Sequence, residues 1–196
     1  GTMEIVTANS GESDISVLQR QEGGGYARTD YAVGSGPWGV ALGHLNDDGR
    51  LDIVAANANV GSISVLLGND GGGFDTAVDY PVEQSPYHLA LADMDANGTL
   101  DAVVLNRTSQ SLSVLPGNGD GTFDEGGHFG GVGSDARRVV VADLNGDDLP
   151  DVAVAAYGQD ALDLFFNQGA GQLSGMVRYY ESQNPTDVIA GDYNLD

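Results

Sequence analysis

Two stretches of the chain place oxygen-bearing side chains at alternate residues and then close on an aspartate. They are Asp93-x-Asp95-x-Asn97-Gly98-Thr99-x-Asp101 and Asp143-x-Asn145-x-Asp147-Asp148-Leu149-x-Asp151. Side-chain oxygens at positions 1, 3, 5 and 9, with the peptide carbonyls of Thr99 and Leu149 at position 7, suit a hard cation that takes roughly six to eight oxygens. Calcium fits best, because its coordination is flexible whereas magnesium prefers a small, water-rich octahedron. Gly98 at position 6 supplies the positive φ that folds such a loop around an ion, and Asp148 in the same place belongs to a residue type that visits this region readily. Neither loop is an EF-hand, since Val104 and Val154 stand where the twelfth-position glutamate would be. A single Asp/Asn/Gly cluster is ordinarily a turn; recurrence of the same oxygen pattern decides against that here.

A third copy runs from His44 through Asn46, Asp48, the carbonyl of Arg50 and Asp52. Imidazole is a poor calcium ligand, so this site is expected to be weak, empty or rearranged, with Asp47 contributing. A fourth begins at Asp192, Asn194 and Asp196 and is continued by the carbonyl of Thr2 and by Glu4 when the carboxyl terminus is written before the amino terminus. Asp52, Asp101 and Asp151 follow one another at 49 and 50 residues, and Glu4 precedes Asp52 by 48. An anchor residue after a glycine-rich turn (Tyr26, Phe74, Phe123, Leu173) recurs at 48, 49 and 50. Pro37, Pro86 and Pro185 form a third series, with Ala136 in the missing place. The chain is therefore one domain, 1–196, of four repeats, with loops at 44–52, 93–101, 143–151 and 192–196 continued by 1–4.

Loops so spaced need elements that return the chain to the same place every 49 residues or so. Each repeat reads as four short strands rich in Val, Ile, Leu and Ala, divided by Gly/Asn/Asp turns, and helical periodicity is absent. This is the pattern of an all-β β-propeller built of four-stranded antiparallel blades, four blades per chain, with the ring closed by pairing of terminal strands within one chain or between two. An irregular sandwich would not hold the spacing so constant. Composition narrows the partners. There are 29 acidic residues against seven basic ones, all arginine, for a net charge of −22. Nucleic acid and anionic membrane surfaces are disfavoured, and metal cations are favoured. No apolar run reaches the length of about 18 residues that spans a bilayer. Without cysteine there is neither a disulfide framework nor a thiolate metal site.

The D-x-[DN]-x-D-G-x-x-D loop before an apolar strand, followed by "SVLLGN" and a "GDGTF" turn, resembles the FG-GAP/VCBS repeats of integrin-α-type β-propellers over the whole chain. The resemblance implies that calcium loops join the first and second strands of each blade on one face, while ligands meet the opposite face near the axis. It makes Gly39–Gly43, His88–Ala92, Val139–Ala142 and Asp187–Gly191 the innermost strands. Trp38, Tyr87, Arg137 and Thr186 then occupy equivalent entries on the ligand face, joined by Asn106, Arg107, Tyr157 and Gln159.

These expectations add up to a calcium-binding extracellular or cell-surface module for binding, adhesion or assembly. Carbohydrate or protein ligands are expected on Trp38, Tyr87, Arg137, Asn106 and Arg107, and two chains are expected to close an eight-blade ring. Weak calcium sites fill only where calcium is abundant, hence the extracellular expectation. No enzyme is expected, because His44, His88 and His128 are scattered and no nucleophile elbow or cysteine nucleophile is present. The alternatives are a polysaccharide lyase or hydrolase, for which Asp135 with Arg137 is the hint, and a structural scaffold stiffened by calcium.

Overall fold

The computed structural model describes residues 4–180 and 183–192. Its strands come in four sets. The first is β1 (Ile5–Asn9), β2 (Asp14–Arg20) and β3 (Tyr26–Ala32); the second is β4 (Pro37–Gly43), β5 (Asp52–Asn57), β6 (Ser62–Leu66) and β7 (Val78–Pro81). The third is β8 (Pro86–Ala92), β9 (Asp101–Asn106), β10 (Ser111–Leu115) and β11 (Gly127–Gly130); the fourth is β12 (Ala136–Ala142), β13 (Asp151–Ala156), β14 (Ala161–Phe165) and β15 (Val177–Tyr179). Each set is an antiparallel meander in sequence order, so the chain forms four blades.

The two middle strands of a blade are buried on both faces, and their sequences show it. In β5, Ile53 and Ala55 join the core shared with the first blade, while Val54 and Ala56 join the core shared with the third. In β9, Ala102 and Val104 face the second blade and Val103 and Leu105 the fourth. Alternation sends successive side chains into different inter-blade cores, and both must be apolar. Each buried Ile, Val or Leu contributes about 1.5–3 kcal/mol of transfer free energy, so the cores between blades hold the arc together. Outer strands such as β7 and β11 have no buried residue and are exposed or half-buried throughout. Inner strands approach closely: a Cβ on Gly39 of β4 would lie 2.9 Å from the Tyr87 carbonyl oxygen of β8, and only glycine fits there.

A polar rung joins the last two strands of every blade: Ser16 to Asp30, Ser64 to Asp79, Ser113 to His128, and Asp163 to Arg178. In the fourth blade the carboxylate has moved to the third strand, where Asp163 is fully buried and pairs with the guanidinium. It also accepts the Gly133 peptide N–H at 2.7 Å, as the Ser64 hydroxyl accepts that of Gly34 at 3.0 Å.

Among the described residues the first blade has three strands, and the sheets are not closed into a ring by hydrogen bonds. The expected innermost strand Asp187–Gly191 makes no ladder, and among the described residues β1 pairs with β2 alone. The segment nevertheless starts like the others. Asn184 (φ 52°) takes the same left-handed turn as Gly36 (66°), Ser85 (55°) and Asp135 (51°) before their inner strands. An ion pair from Arg138 Nε to Asp187 Oδ1, 3.2 Å, sets its beginning beside β12.

Candidate functional site

All three described loops lie between the first and second strands of a blade, and position 9 does the same work in each. Asp52, Asp101 and Asp151 are at most 1% exposed. One oxygen of each accepts a peptide N–H from its own loop: Leu45 at 2.8 Å, Met94 at 2.7 Å and Leu144 at 3.1 Å. The other accepts a peptide N–H after the third strand, from Gly68, Gly117 or Asn167, each at 2.8 Å. These aspartates are clamps between loop and hairpin. A carboxylate has about four lone-pair sites, so the clamp does not exhaust its capacity toward a cation.

The loops differ beyond the clamp. In 93–101, ligand atoms of Asp93, Asp95 and Asp101 lie within 4.8 Å of one another, and no second such trio of His, Asp or Glu occurs among the described residues. Burial pushes the Asp101 carboxyl above its ordinary value; the Gly117 and Met94 N–H groups oppose this, and the charges of Asp95 and Asp93 add to it. The Asn97 side-chain oxygen accepts the Thr99 N–H at 2.7 Å, and Thr99 Oγ1 donates to the Gly117 carbonyl at 2.7 Å. Gly98 has φ 90° and Asp148 φ 66°, the position-6 conformation anticipated from the sequence. Three converging carboxylates without a basic side chain bonded to them have unmet charge, and a divalent ion is the donor set's natural complement.

In 143–151 the carboxylates do not converge in this way. Asp143 gathers four peptide N–H groups, Gly146 at 2.7 Å, Asp148 at 3.0 Å, Asn145 at 3.2 Å and Asp147 at 3.3 Å, where Asp93 gathers two, Gly98 at 2.8 Å and Asn97 at 3.0 Å. The Gly146 bond leads in holding its carboxyl below the ordinary value. Asn145 donates to Asp147 at 2.9 Å, and Leu149 N–H caps the same carboxylate.

In 44–52 a guanidinium takes the cation's part. Arg50 donates to Asp48 at 2.7 Å, to Asp70 at 2.9 Å and to the Gly68 carbonyl at 2.8 Å. Its peptide N–H leads in lowering the Asp48 carboxyl. His44 Nδ1 sits 2.7 Å from the Arg50 carbonyl, the oxygen expected as the seventh-position ligand. Asn46 caps the Asp48 N–H. Of the fourth loop, Glu4 and Asp192 lie in the described chain, Glu4 accepting from Gln19 at 3.1 Å; Thr2, Asn194 and Asp196 lie outside it.

On the opposite face, each inner strand carries an irregularity at its entry, between Pro37 and Gly39, Pro86 and His88, and Ala136 and Arg138. The residues re-aimed by these bulges are Trp38, Tyr87 and Arg137. Trp38, half exposed, stacks on Tyr87 with ring centroids 5.0 Å apart at 27°. The Arg107 guanidinium lies 4.9 Å over the Tyr87 ring and pairs with Asp135, which also pairs with Arg137 at 2.8 Å. Arg137 in turn lies 4.3 Å over Tyr157. A groove of about 450 Å³ runs along this row, lined by Trp38, Asn59, Tyr87, Arg107, Thr108 and Asp135. A neighbouring depression of about 700 Å³ shares Asn59, Ser85 and Thr108 and reaches Glu83 and His128.

Asn106 is not part of this surface. It is fully buried, and its amide donates to the hydroxyls of Ser111 and Ser113 within the blade. Gln159 is exposed and accepts from Arg178, and Thr186 is exposed. One group escaped the sequence reading. His88 and Arg138 on successive inner strands, and Asp187 at the equivalent repeat position in the unladdered segment, form this group, and burial, then the Arg138 charge, lowers the His88 imidazole to about 4 against the pull of Asp187. Its Nδ1 is buried without a partner. Aligning the inner strands by repeat would have placed all three residues at one level.

Several solved structures share the fold. A putative 6-phosphogluconolactonase from Bacteroides uniformis matches with a TM-score of 0.72 at 17% identity over 94% of this chain and 56% of that one. A periplasmic gluconolactonase from Pseudomonas aeruginosa matches with 0.70 at 18% over 94% and 52%. An Agrocybe aegerita lectin that recognises non-reducing terminal N-acetylglucosamine matches with 0.55 at 20% over 90% and 52%. The chain thus spans about half the length of these proteins, and identities this low establish shared fold alone. The expectation that the chain is not an enzyme is corrected by the two lactonases. Scattered histidines and a missing nucleophile motif are no ground for excluding catalysis on a scaffold that carries it elsewhere. No curated protein matches the sequence. The model of the FG-GAP-like repeat matches residues 44–104, 93–154 and 143–196, which take in the three described loops and the strands from β5 onward, and the chain belongs to that family.

Proposed function

We propose that this chain is a calcium-binding β-propeller module that works outside the cell and holds a carbohydrate on the face opposite its loops. The observation that carries the reading is the stacked Trp38–Tyr87 pair with Arg107 fixed beside it on the rim of a polar groove. A half-exposed indole offers a flat apolar face to a sugar ring, and the amide of Asn59 and the hydroxyl of Thr108 offer direction. The lectin among the structural matches supports a saccharide ligand on this architecture. Calcium is assigned first to Asp93, Asp95 and Asp101, where charge converges, and its role is to neutralise the loop and tie it to the Gly117 hairpin. Sites of extracellular modules bind at about 0.1–1 mM, which is why this reading places the chain outside the cell. A glycan array probed with the protein and with Trp38→Ala tests it. A signal lost in the variant supports the saccharide; a signal that persists, or none at all, sinks it. A melting temperature indifferent to chelation removes calcium.

We infer also that a second copy completes the ring. The support is the open inner edge of β1 and the unladdered segment 187–191, whose sequence repeats the other inner strands. An exposed strand edge is a template for another strand, and heterologous contacts that close give cyclic oligomers. Pairing between copies would bring Asp192 of one beside Glu4 of the other. Light scattering at twice the 20.2 kDa of one chain supports this, and the mass of a single chain overturns it.

A further inference from the structure

We propose that the ligand held at the Trp38–Tyr87 platform is an acidic saccharide, whose carboxylate docks on Arg107. The proposal rests on the saccharide reading above and adds the charge of the ligand.

Arg107 is prepared for an anion. A guanidinium carries five N–H donors in a planar fork, the geometry that meets a carboxylate with two parallel bonds. Here one of its nitrogens serves Asp135, and no other protein acceptor among the described residues bonds to it. The Tyr87 ring beneath it and the ion pair beside it fix its plane, so little ordering is needed when a ligand arrives. Its side chain is 34% exposed, and the groove that it lines also contains the indole. The spare donors are therefore within reach of a group attached to a ring stacked on Trp38.

The local charge balance points the same way. Asp135 is shared by two arginines, since Arg137 pairs with its second oxygen. The trio is one positive charge in surplus, and Arg137 keeps a buried Nε with no acceptor. Asp135 also contributes to the groove lining, so a neutral sugar would leave this surplus unanswered.

The net charge of −22 does not overrule this. The aspartates of the loops sit at the other end of strands β5, β9 and β13, each six residues long. At roughly 3.3 Å per residue that is about 20 Å, more than twice the Debye length of about 8 Å at physiological salt. Across that distance the loop charges are screened; on this face Glu83 lies in the adjoining depression and accepts the Ser111 hydroxyl at 2.8 Å, while the groove itself is lined by Arg107 and its paired Asp135.

The test compares cellobiouronic acid, its methyl ester and cellobiose, titrated calorimetrically into the calcium-loaded protein. Ester and acid share ring and linkage and differ in charge. The acid is expected to bind at least about tenfold tighter than its ester, as one charge-assisted bidentate contact supplies. Arg107→Gln is expected to erase that ratio, and Arg107→Lys to restore part of it, with melting temperatures certifying that both variants fold. Equal binding of acid and ester, or a ratio unchanged by Arg107→Gln, overturns the acidic ligand while leaving a saccharide in place. No binding of any of the three overturns both readings. An acidic tripeptide, Gly-Asp-Gly, that binds tighter than the uronate assigns the site to a peptide carboxylate and also overturns the proposal.

Discussion

The loops 44–52 and 93–101 have the same length, the same buried clamp and the same exit into an apolar strand, yet they balance their charge by different means. In the first, Arg50 sits among Asp48, Asp70 and the Gly68 carbonyl. In the second, Thr99 takes the corresponding carbonyl, that of Gly117, with an uncharged hydroxyl. Asp93, Asp95 and Asp101 then converge without a basic side chain bonded to them. The difference teaches that loop shape and ion binding are separable. Peptide N–H groups on the clamp aspartate hold both loops alike, while position 7 places a guanidinium among the carboxylates of one loop and an uncharged hydroxyl in the other; under the calcium reading proposed above, the second loop would take its cation from solution.

If the clamp is independent of metal, breaking it should cost both loops alike. Asp52→Asn and Asp101→Asn each turn one accepting oxygen into an NH2 that faces a peptide N–H in a buried site. A loss of about 2–4 kcal/mol is expected for each. Urea unfolding in the presence of chelator measures it. A mutant that is harmless under those conditions would show that the clamp matters only through an ion.

Calcium should separate the loops where the clamp unites them. At about 10 mM calcium and an affinity of about 0.1–1 mM, one site stabilises the fold by about 1.4–2.7 kcal/mol. Asp93→Asn with Asp95→Asn is expected to abolish that gain in thermal melts, whereas Asp48→Asn is expected to retain it. Should Asp48→Asn remove the calcium response and the Asp93/Asp95 pair keep it, the assignment of the ion is reversed.

The sequence made the repeat, the strand order and the position-6 turn legible, because glycine and aspartate announce positive φ and alternating apolar residues announce a strand buried on two faces. It left four things obscure for one physical reason: a side chain's role depends on what a different repeat or strand brings beside it. Asp101 reads as a ligand, and only the approach of the Gly117 hairpin makes it a clamp. Asn106 reads as a surface amide, and only the pairing of β9 with β10 folds it under Ser111 and Ser113. Arg50 reads as a carbonyl donor with an irrelevant side chain, and only Asp70, twenty residues on, makes that side chain the counter-ion. The exchange of Ser64–Asp79 for Asp163–Arg178 in the fourth blade hides in the same way, because either residue alone looks like a departure from the repeat.

Exchanging the position-7 residue is the sharper test of the loop comparison. Arg50→Thr removes two exposed ion pairs, which are worth little each. Its hydroxyl can take the Gly68 carbonyl as Thr99 takes that of Gly117, so a cost of about 1 kcal/mol or less is expected. Adding His44→Asp makes loop 44–52 read like loop 93–101. The double variant is expected to gain a second calcium-dependent rise in melting temperature that neither single change produces alone. No such gain would mean that position 7 is not what distinguishes the loops.

The smallest effect lies away from the loops and is needed to keep acid titrations from being misread as theirs. His88 is held neutral by burial and by Arg138, with its imidazole lowered from 6.5 to about 4. A depressed histidine is neutral in both the folded and unfolded chain above pH 6.5, so it has no influence there. As pH falls from 6.5 toward 4 the unfolded chain takes up the proton first, and the folded state loses stability across that window. Partial exposure and Asp187 temper the loss, which is expected to be about 1 kcal/mol at a pH near 5.5. His88→Gln should flatten this part of the profile in chelator, leaving the acid loss due to the carboxylates. A profile unchanged by the substitution would return the whole acid sensitivity to the loops, and with it the burden of explaining why the loop with its own guanidinium and the loop without one titrate together.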